Sequence, residues 1–213
     1  KKMSKYNFIT FEGIEGCGKS TQVKLLHDFL VHNKEQVILT REPGGTTGAE
    51  TIRQLLLSGP EDRWNMRTEA LLFAAARAEH CAKLIKPAIE SGDWVISDRF
   101  VDSSYIYQGI GRNIDAKIID DLVDRFLQGA LPDATLLLDV PVNIGLQRVA
   151  SRGEMNRLDG ESIAFHEKVR NGFLALDKND NGKIDEPSKK RKVPSLPAFI
   201  KRLEKEAPKQ LKL

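Results

Sequence analysis

Along the chain, short apolar runs with β-branched character take turns with longer stretches in which apolar residues recur every three or four positions. The first such unit is Phe8–Gln22, FITFEGIEGCGKSTQ, an apolar run that breaks at Gly13 and leads into the amphipathic stretch Thr21–Leu30. Gln36–Thr40 is a short buried strand that ends in the turn-rich Arg41-Glu42-Pro43-Gly44-Gly45, and Thr46–Leu57 has helical spacing. Met66–Ile89 predicts one long helix, alanine-rich and therefore able to pack closely, with Pro87 near its end. Asp93–Ser97 is a third strand, closed by Asp98-Arg99-Phe100, and helices follow at Val101–Gln108 and Asp115–Gln128. Thr135–Val140 is a fourth strand, ended by Pro141, and the helices Val142–Arg152 and Gly160–Leu176 flank a polar, arginine-bearing loop. Alternation of strand and helix predicts an α/β fold, a parallel sheet with helices on both faces.

Candidate chemistry enters at the ends of the strands. Gly13-Ile-Glu15-Gly16-Cys17-Gly18-Lys19-Ser20 matches G-x-x-x-x-G-K-[ST] residue for residue, between a strand and a helix. Glycines there let backbone N–H groups turn inward on an anion, and the helix N-terminus adds partial positive charge. Lys19 neutralises β/γ-phosphates and the Ser20 hydroxyl suits Mg²⁺. Residues 41–45 and 98–108 stand at the ends of the second and third strands, and in a parallel sheet ligands bind beyond those carboxyl ends. The three clusters therefore predict one shared site.

Composition changes the picture little. At 213 residues, 40% hydrophobic and 30% charged, the chain reads as one ordinary globular α/β domain. No apolar run approaches the ~20 residues that span a bilayer. KKMSKY runs straight into a strand rather than a signal peptide, and two cysteines make no disulfide framework. The expected setting is reducing and cytoplasmic. Net charge is +3, but residues 187–213 hold nine Lys/Arg against two Glu, a local +7 that leaves −4 for the rest. The body thus has no basic footprint for nucleic acid.

Read together with the phosphate loop, four further motifs make the chain resemble thymidylate kinase from about Tyr6 to Leu176. They are Arg41–Gly45, Phe73-Ala-Ala-Ala-Arg77-Ala-Glu-His80, Asp98-Arg99-Phe100 with Tyr107-Gln108-Gly109, and Ser151-Arg152-Gly153-Glu154-Met-Asn-Arg157-Leu. The resemblance implies a three-layer P-loop NTPase fold with a five-stranded parallel sheet, and transfer of the ATP γ-phosphate to dTMP with Mg²⁺. It also implies a homodimer. On this reading residues 1–176 form a nucleoside monophosphate kinase domain with a lid at about 151–159, and residues 177–213 form a divergent basic segment. The resemblance assigns ATP to Gly13, Glu15, Gly16, Cys17, Gly18, Lys19, Ser20 and Thr21, and the metal to Ser20 and Asp98. It assigns the acceptor nucleotide to Glu42, Pro43, Arg53, Phe73, Arg77, Arg99, Ser104, Tyr107 and Gln108. Catalytic roles fall on Lys19, Arg99, Glu15 and the lid arginines Arg152 and Arg157, the bacterial arrangement in which the cation comes from the lid. Phe73 resembles the residue that stacks on the base, Arg77 the donor to its carbonyl, and Pro43 a cis proline beneath the site. His80 and Cys81 read as packing or capping residues.

An acceptor that is already a phosphate monoester is ionised at neutral pH, so such a transfer needs cations and positioning rather than a general base. Two other readings stay open here. A deoxynucleoside kinase would use Glu42 as base on a neutral hydroxyl, and a non-catalytic nucleotide-binding module would carry a calcium-sensing or nuclear-targeted tail. The tail supplies the signals for the latter: Asp177–Asp185 follows a calcium-loop pattern but lacks its final Glu, and Lys189-Lys190-Arg191-Lys192 resembles a nuclear-localisation sequence. Lys183–Glu186 is the candidate fifth strand and Ser195–Lys209 a candidate surface helix.

Overall fold

The computed structural model describes residues 7–60, 62–127, 129–153 and 156–178. Its first strand, β1 (Phe8–Glu12), is buried at every position. Phe8 and Ile9 point to opposite faces, as the period of two in a pleated strand requires. Phe8 joins Val95, Ile85, Phe100 and Ile119 on one side of the sheet. Ile9 and Phe11 join Val23, Leu26, Leu30, Trp94 and Ile96 on the other. Burying each such side chain stabilises by about 1.5–3 kcal/mol, which explains why the central strand carries so little polarity.

The sheet has four parallel strands among the described residues: β1, β2 (Val37–Arg41), β3 (Trp94–Asp98) and β4 (Ala134–Leu137), in the order β2-β3-β1-β4. Phe11 pairs with Asp98 and Arg41 pairs with Asp98 from the other side, so three strand ends finish level. From β1 the chain crosses β3 to reach β2, and from β3 it crosses β1 to reach β4. Their carboxyl ends thus open on one crevice. The expected fifth strand, Lys183–Glu186, lies outside the described residues, as do the Asp177–Asp185 loop beyond Lys178, the Lys189–Lys192 run and the Ser195–Lys209 helix.

Helix α1 (Lys19–His32) covers one face. Helix α2 (Thr47–Leu57) starts at Thr46, whose hydroxyl accepts the Ala49 N–H at 3.2 Å. Helix α3 (Met66–His80) starts at Asn65, whose Oδ1 accepts from Arg67 and Thr68 N–H, a cap worth about 1 kcal/mol. The long helix read as Met66–Ile89 contains a π-helical turn, Cys81–Ile85, before α4 (Lys86–Ser91). The helix expected at Val101–Gln108 is α helical only over α5 (Val101–Ser104) and π helical over Tyr105–Gly111. Then come α6 (Ala116–Phe126), α7 (Val142–Arg152) and α8 (Ile163–Lys178). A third apolar cluster, with Ile14, Ile106, Tyr107, Val142, Val169 and Phe173, ties α7 and α8 to the glycine-rich loop and the π segment.

Candidate active site

The loop after β1 wraps the carboxyl end of the sheet tightly. At Gly13, with φ 135°, a Cβ would lie 2.2 Å from the Leu138 carbonyl oxygen, so only glycine fits. Lys19 opens α1, is buried, and donates through Nζ to the Gly13 and Ile14 carbonyls at 3.0 and 2.8 Å, with Cys17 Sγ at 3.5 Å. Burial, then the nearby Arg99 cation, lowers the Lys19 pKa. The next residue, Ser20, donates its hydroxyl to Asp98 Oδ2 at 3.0 Å, which puts the two expected metal-binding side chains together across the mouth of β3.

Arg99 sits at φ 73°, a left-handed conformation that costs a non-glycine residue about 1–3 kcal/mol. The turn aims its guanidinium into the crevice. Nη1 donates to Ser103 Oγ at 3.1 Å, and Nη2 donates to Glu15 Oε1 at 3.1 Å and to the Tyr107 hydroxyl at 3.2 Å. Its Cζ lies 5.0 Å from the Tyr107 ring centroid. Tyr107 donates in turn to Glu15 Oε1 at 2.6 Å. Burial alone would raise the Glu15 pKa, but His166, Arg99, Lys19 and Tyr107 together hold it well below the usual carboxylate range. The loop carboxylate is therefore anionic and braced between two cations.

Two buried groups here carry no motif. Glu12, at the end of β1, accepts the Phe100 N–H at 2.8 Å, the Ser103 N–H at 3.2 Å and the Ser103 hydroxyl at 2.6 Å, and so fixes the turn that bears Arg99. His166 on α8 brings Nδ1 to 3.7 Å from Glu15 Oε2, beyond hydrogen-bond reach. Glu15 Oε2 and His166 Nε2 have no hydrogen-bond partner among the described residues. The Glu15 carboxylate raises the His166 pKa against the opposing effect of burial. A glutamate closing a strand and a histidine in an amphipathic helix give no sequence signal of a site role.

Toward α3 the crevice turns apolar and then polar. Phe73 and Arg77, one turn apart, both line it. Arg77 is 6% exposed; Nε donates to Glu42 Oε2 at 2.6 Å, Nη1 to Ser104 Oγ at 2.7 Å and Nη2 to the Phe100 carbonyl at 3.1 Å. The Glu42–Pro43 peptide is cis, and the Pro43 carbonyl accepts from Arg53 Nη1 at 2.8 Å. Burial and then the Arg41 cation lower the Arg53 pKa.

A cleft of ≈ 280 Å³ joins these parts. Of the residues expected from sequence, Glu15, Gly16, Gly18, Lys19, Ser20, Thr21, Glu42, Pro43, Arg53, Phe73, Arg77, Asp98, Arg99, Ser104, Tyr107, Gln108 and Arg152 line it. Asn156, Leu158 and Asp159 of the lid line it as well, without having been singled out. Gly13 and Cys17 of the phosphate loop do not line it. Arg157 does not line it either. Instead of facing the phosphate loop it is buried: Nε donates to the Leu56 carbonyl at 2.9 Å, its backbone N–H to the Leu57 carbonyl at 3.2 Å, and Nη2 pairs with Glu69. A guanidinium so desolvated needs its carboxylate, and α3 supplies it. From α7, Arg148 also touches the loop, donating to the Gly16 carbonyl at 3.0 Å.

A parallel sheet, a phosphate loop with its lysine and serine, an acid-arginine pair at the neighbouring strand end and a lid with a cation define a P-loop nucleotide phosphotransferase. The family description "Thymidylate kinase" matches residues 11–193, past the Leu176 limit of the motif resemblance. The thymidylate kinase of Marinomonas sp. is 53% identical over 78% of this chain and 79% of its own length. That of Caulobacter vibrioides is 47% identical over 79% and 81%. The crystal structure of thymidylate kinase from Ehrlichia chaffeensis superposes with a TM-score of 0.67 at 34% identity, covering 92% of this chain and 96% of that one. This chain belongs to the thymidylate kinase family.

Proposed function

We propose that the protein transfers the γ-phosphate of ATP to dTMP, forming dTDP and ADP. The observation that carries this reading is that contacts connect the groups lining one cleft in order: from the loop with Lys19 to Arg99, which bonds Glu15 of the loop and Ser103, and on to Arg77, which bonds the next residue Ser104 and has Phe73 one turn away. That is the order of donor phosphates, acceptor phosphate and base. Lys19 moves from loop carbonyls to the β/γ-phosphates, Arg99 and Arg53 hold the acceptor phosphate, and Arg152 comes down with the lid. Glu15 keeps Arg99 aimed, and Tyr107 and Ser104 crowd the sugar. Glu42, which a nucleoside kinase would use, has both oxygens engaged, one by Arg77 and the other by His80.

Ser20 and Asp98 fit a magnesium ion, since their hard oxygens already meet at 3.0 Å. Among the described residues no cluster of three or more His, Cys, Asp or Glu side chains could hold a metal ion; a magnesium ion at Ser20 and Asp98 would take its remaining ligands from phosphates and water. When bound, the ion neutralises charge on the β- and γ-phosphate oxygens.

We also assign the family's homodimer to the apolar face of α3 and α6, and the cytoplasm as the site of action; no helix among the described residues is long and apolar enough to cross a membrane. An ADP-release assay with ATP, Mg²⁺ and dTMP, dUMP, thymidine or dCMP tests the activity. Turnover with dTMP and none with thymidine is expected, with Arg99→Ala lowering kcat/KM on the order of 10²-fold or more. Equal turnover of thymidine would overturn the monophosphate assignment.

A further inference from the structure

The buried polar residues behind the base end of the cleft form a chain that the activity itself does not account for. Thr40, in β2, brings Oγ1 to 2.7 Å from His80 Nε2. His80, the last residue of α3 and 0% exposed, brings Nδ1 to 3.1 Å from Glu42 Oε1. Glu42 Oε2 then accepts Arg77 Nε at 2.6 Å. Facing a carboxylate, Nδ1 carries the proton, so Nε2 accepts from the Thr40 hydroxyl. The Glu42 backbone is pinned as well, its N–H donating to the Asp98 carbonyl at 3.0 Å. Gly45 seals the back of the chain. A Cβ there would come within 2.5 Å of both His80 Nε2 and Thr40 Oγ1, so the turn lies directly on that hydrogen bond.

We propose that His80 is a positioning residue for acceptor recognition, locking Arg77 through Glu42 as a fixed hydrogen-bond donor toward the base; this rests on the dTMP reading above. Three of the five guanidinium N–H groups are committed to Glu42, Ser104 and Phe100, which leaves two to face the cleft. A donor held there donates to a pyrimidine carbonyl and repels an exocyclic amino group. Its selectivity lasts only while the guanidinium is unable to swing away. Glu42 alone does not fix it, because a carboxylate with one free oxygen rotates. His80 removes that freedom, and Thr40 fixes the imidazole.

The experiment compares KM for dTMP, KM for ATP and the dTMP/dCMP ratio of kcat/KM in wild type, His80→Leu, His80→Asn and Thr40→Val. Asparagine places an amide donor near the Nδ1 position and restores the bond to Glu42. Leucine restores nothing. His80→Leu is expected to raise KM for dTMP about 10-fold and to lower the dTMP/dCMP ratio about as much, with KM for ATP unchanged. His80→Asn should recover most of both. Thr40→Val, nearly isosteric, should shift both about 3-fold in the same direction, and it decides the matter if His80→Leu does not fold. Equal effects of His80→Leu and His80→Asn, or KM rising alike for both substrates, would reduce His80 to packing. A wild-type enzyme inactive on dTMP would instead overturn the function proposed above.

Discussion

At the scale of single residues, Glu12 has the most measurable consequence. Burial first, and the neighbouring Asp102 carboxylate second, push its pKa from 4.5 up to about 7, while Arg99, Ser103 and the Phe100 N–H pull it down. The folded state therefore binds more protons than the unfolded chain between those values, and stability falls as pH rises from about 4.5 to about 7. His166, whose pKa is also raised, adds a loss of the same sign above its ordinary 6.5. Urea titrations of wild type and Glu12→Gln from pH 4.5 to 8 separate the two. The variant should lose less stability across pH 4.5–7 and run parallel above; parallel curves throughout would mean that Glu12 titrates normally. Sequence had no access to this group. The phosphate loop is legible because its glycines, lysine and serine have one use in that order, whereas a buried glutamate at a strand end differs from a solvated one only in what folds over it.

At the scale of elements, the lid is held by an ion network that a motif comparison does not show. Glu69 on α3 is 2% exposed and receives Arg157 from the lid and Arg112 Nε, the latter at 3.4 Å; Arg112 also pairs with Glu161 and lies 4.9 Å from the Phe165 ring centroid. The lid base is thereby fastened to the helix that carries Phe73 and Arg77. Removing Glu69 takes the buried carboxylate from both guanidinium groups, so Glu69→Ala should cost about 3–5 kcal/mol in urea unfolding. The pair replacement Glu69→Leu with Arg157→Met should recover much of that loss; a single-variant loss under about 1 kcal/mol would show the network to be dispensable. Sequence marks Arg157 as a lid arginine but not which way it turns, since that depends on a carboxylate 88 positions earlier. The helices were legible for a related reason and in the same measure. Apolar spacing located them, but a single π turn at Cys81–Ile85, or a run of them at Tyr105–Gly111, shifts the period too little to be read. Yet the π segment is what sets Tyr107 and Gln108 against the cleft.

At the scale of the molecule, α3 and α6 leave an apolar face that the other described residues do not cover. Met66 and Leu71 on α3 and Ile118 and Phe126 on α6 are each about half exposed, and Ile119 is the one α6 residue fully buried. Phe126, Leu122, Ala70 and Ala74 line a shallow groove between the two helices, and Arg77, Ser104 and Gln108 form its floor. The same three residues line the acceptor end of the cleft, so a second copy seated on this face would press on the base-reading side chains from behind. Exposed apolar patches of this kind mark interfaces, and the homodimer proposed above gives this one its occupant. Phe126→Glu places a charge in that contact without touching the nucleotide cleft. Analytical ultracentrifugation at micromolar concentration should find two chains for wild type and one for Phe126→Glu, and the monomer should show a higher KM for dTMP with KM for ATP nearly unchanged. A single-chain wild type would remove the dimer, and a dissociated variant with both KM values intact would show that each chain shapes its acceptor site alone.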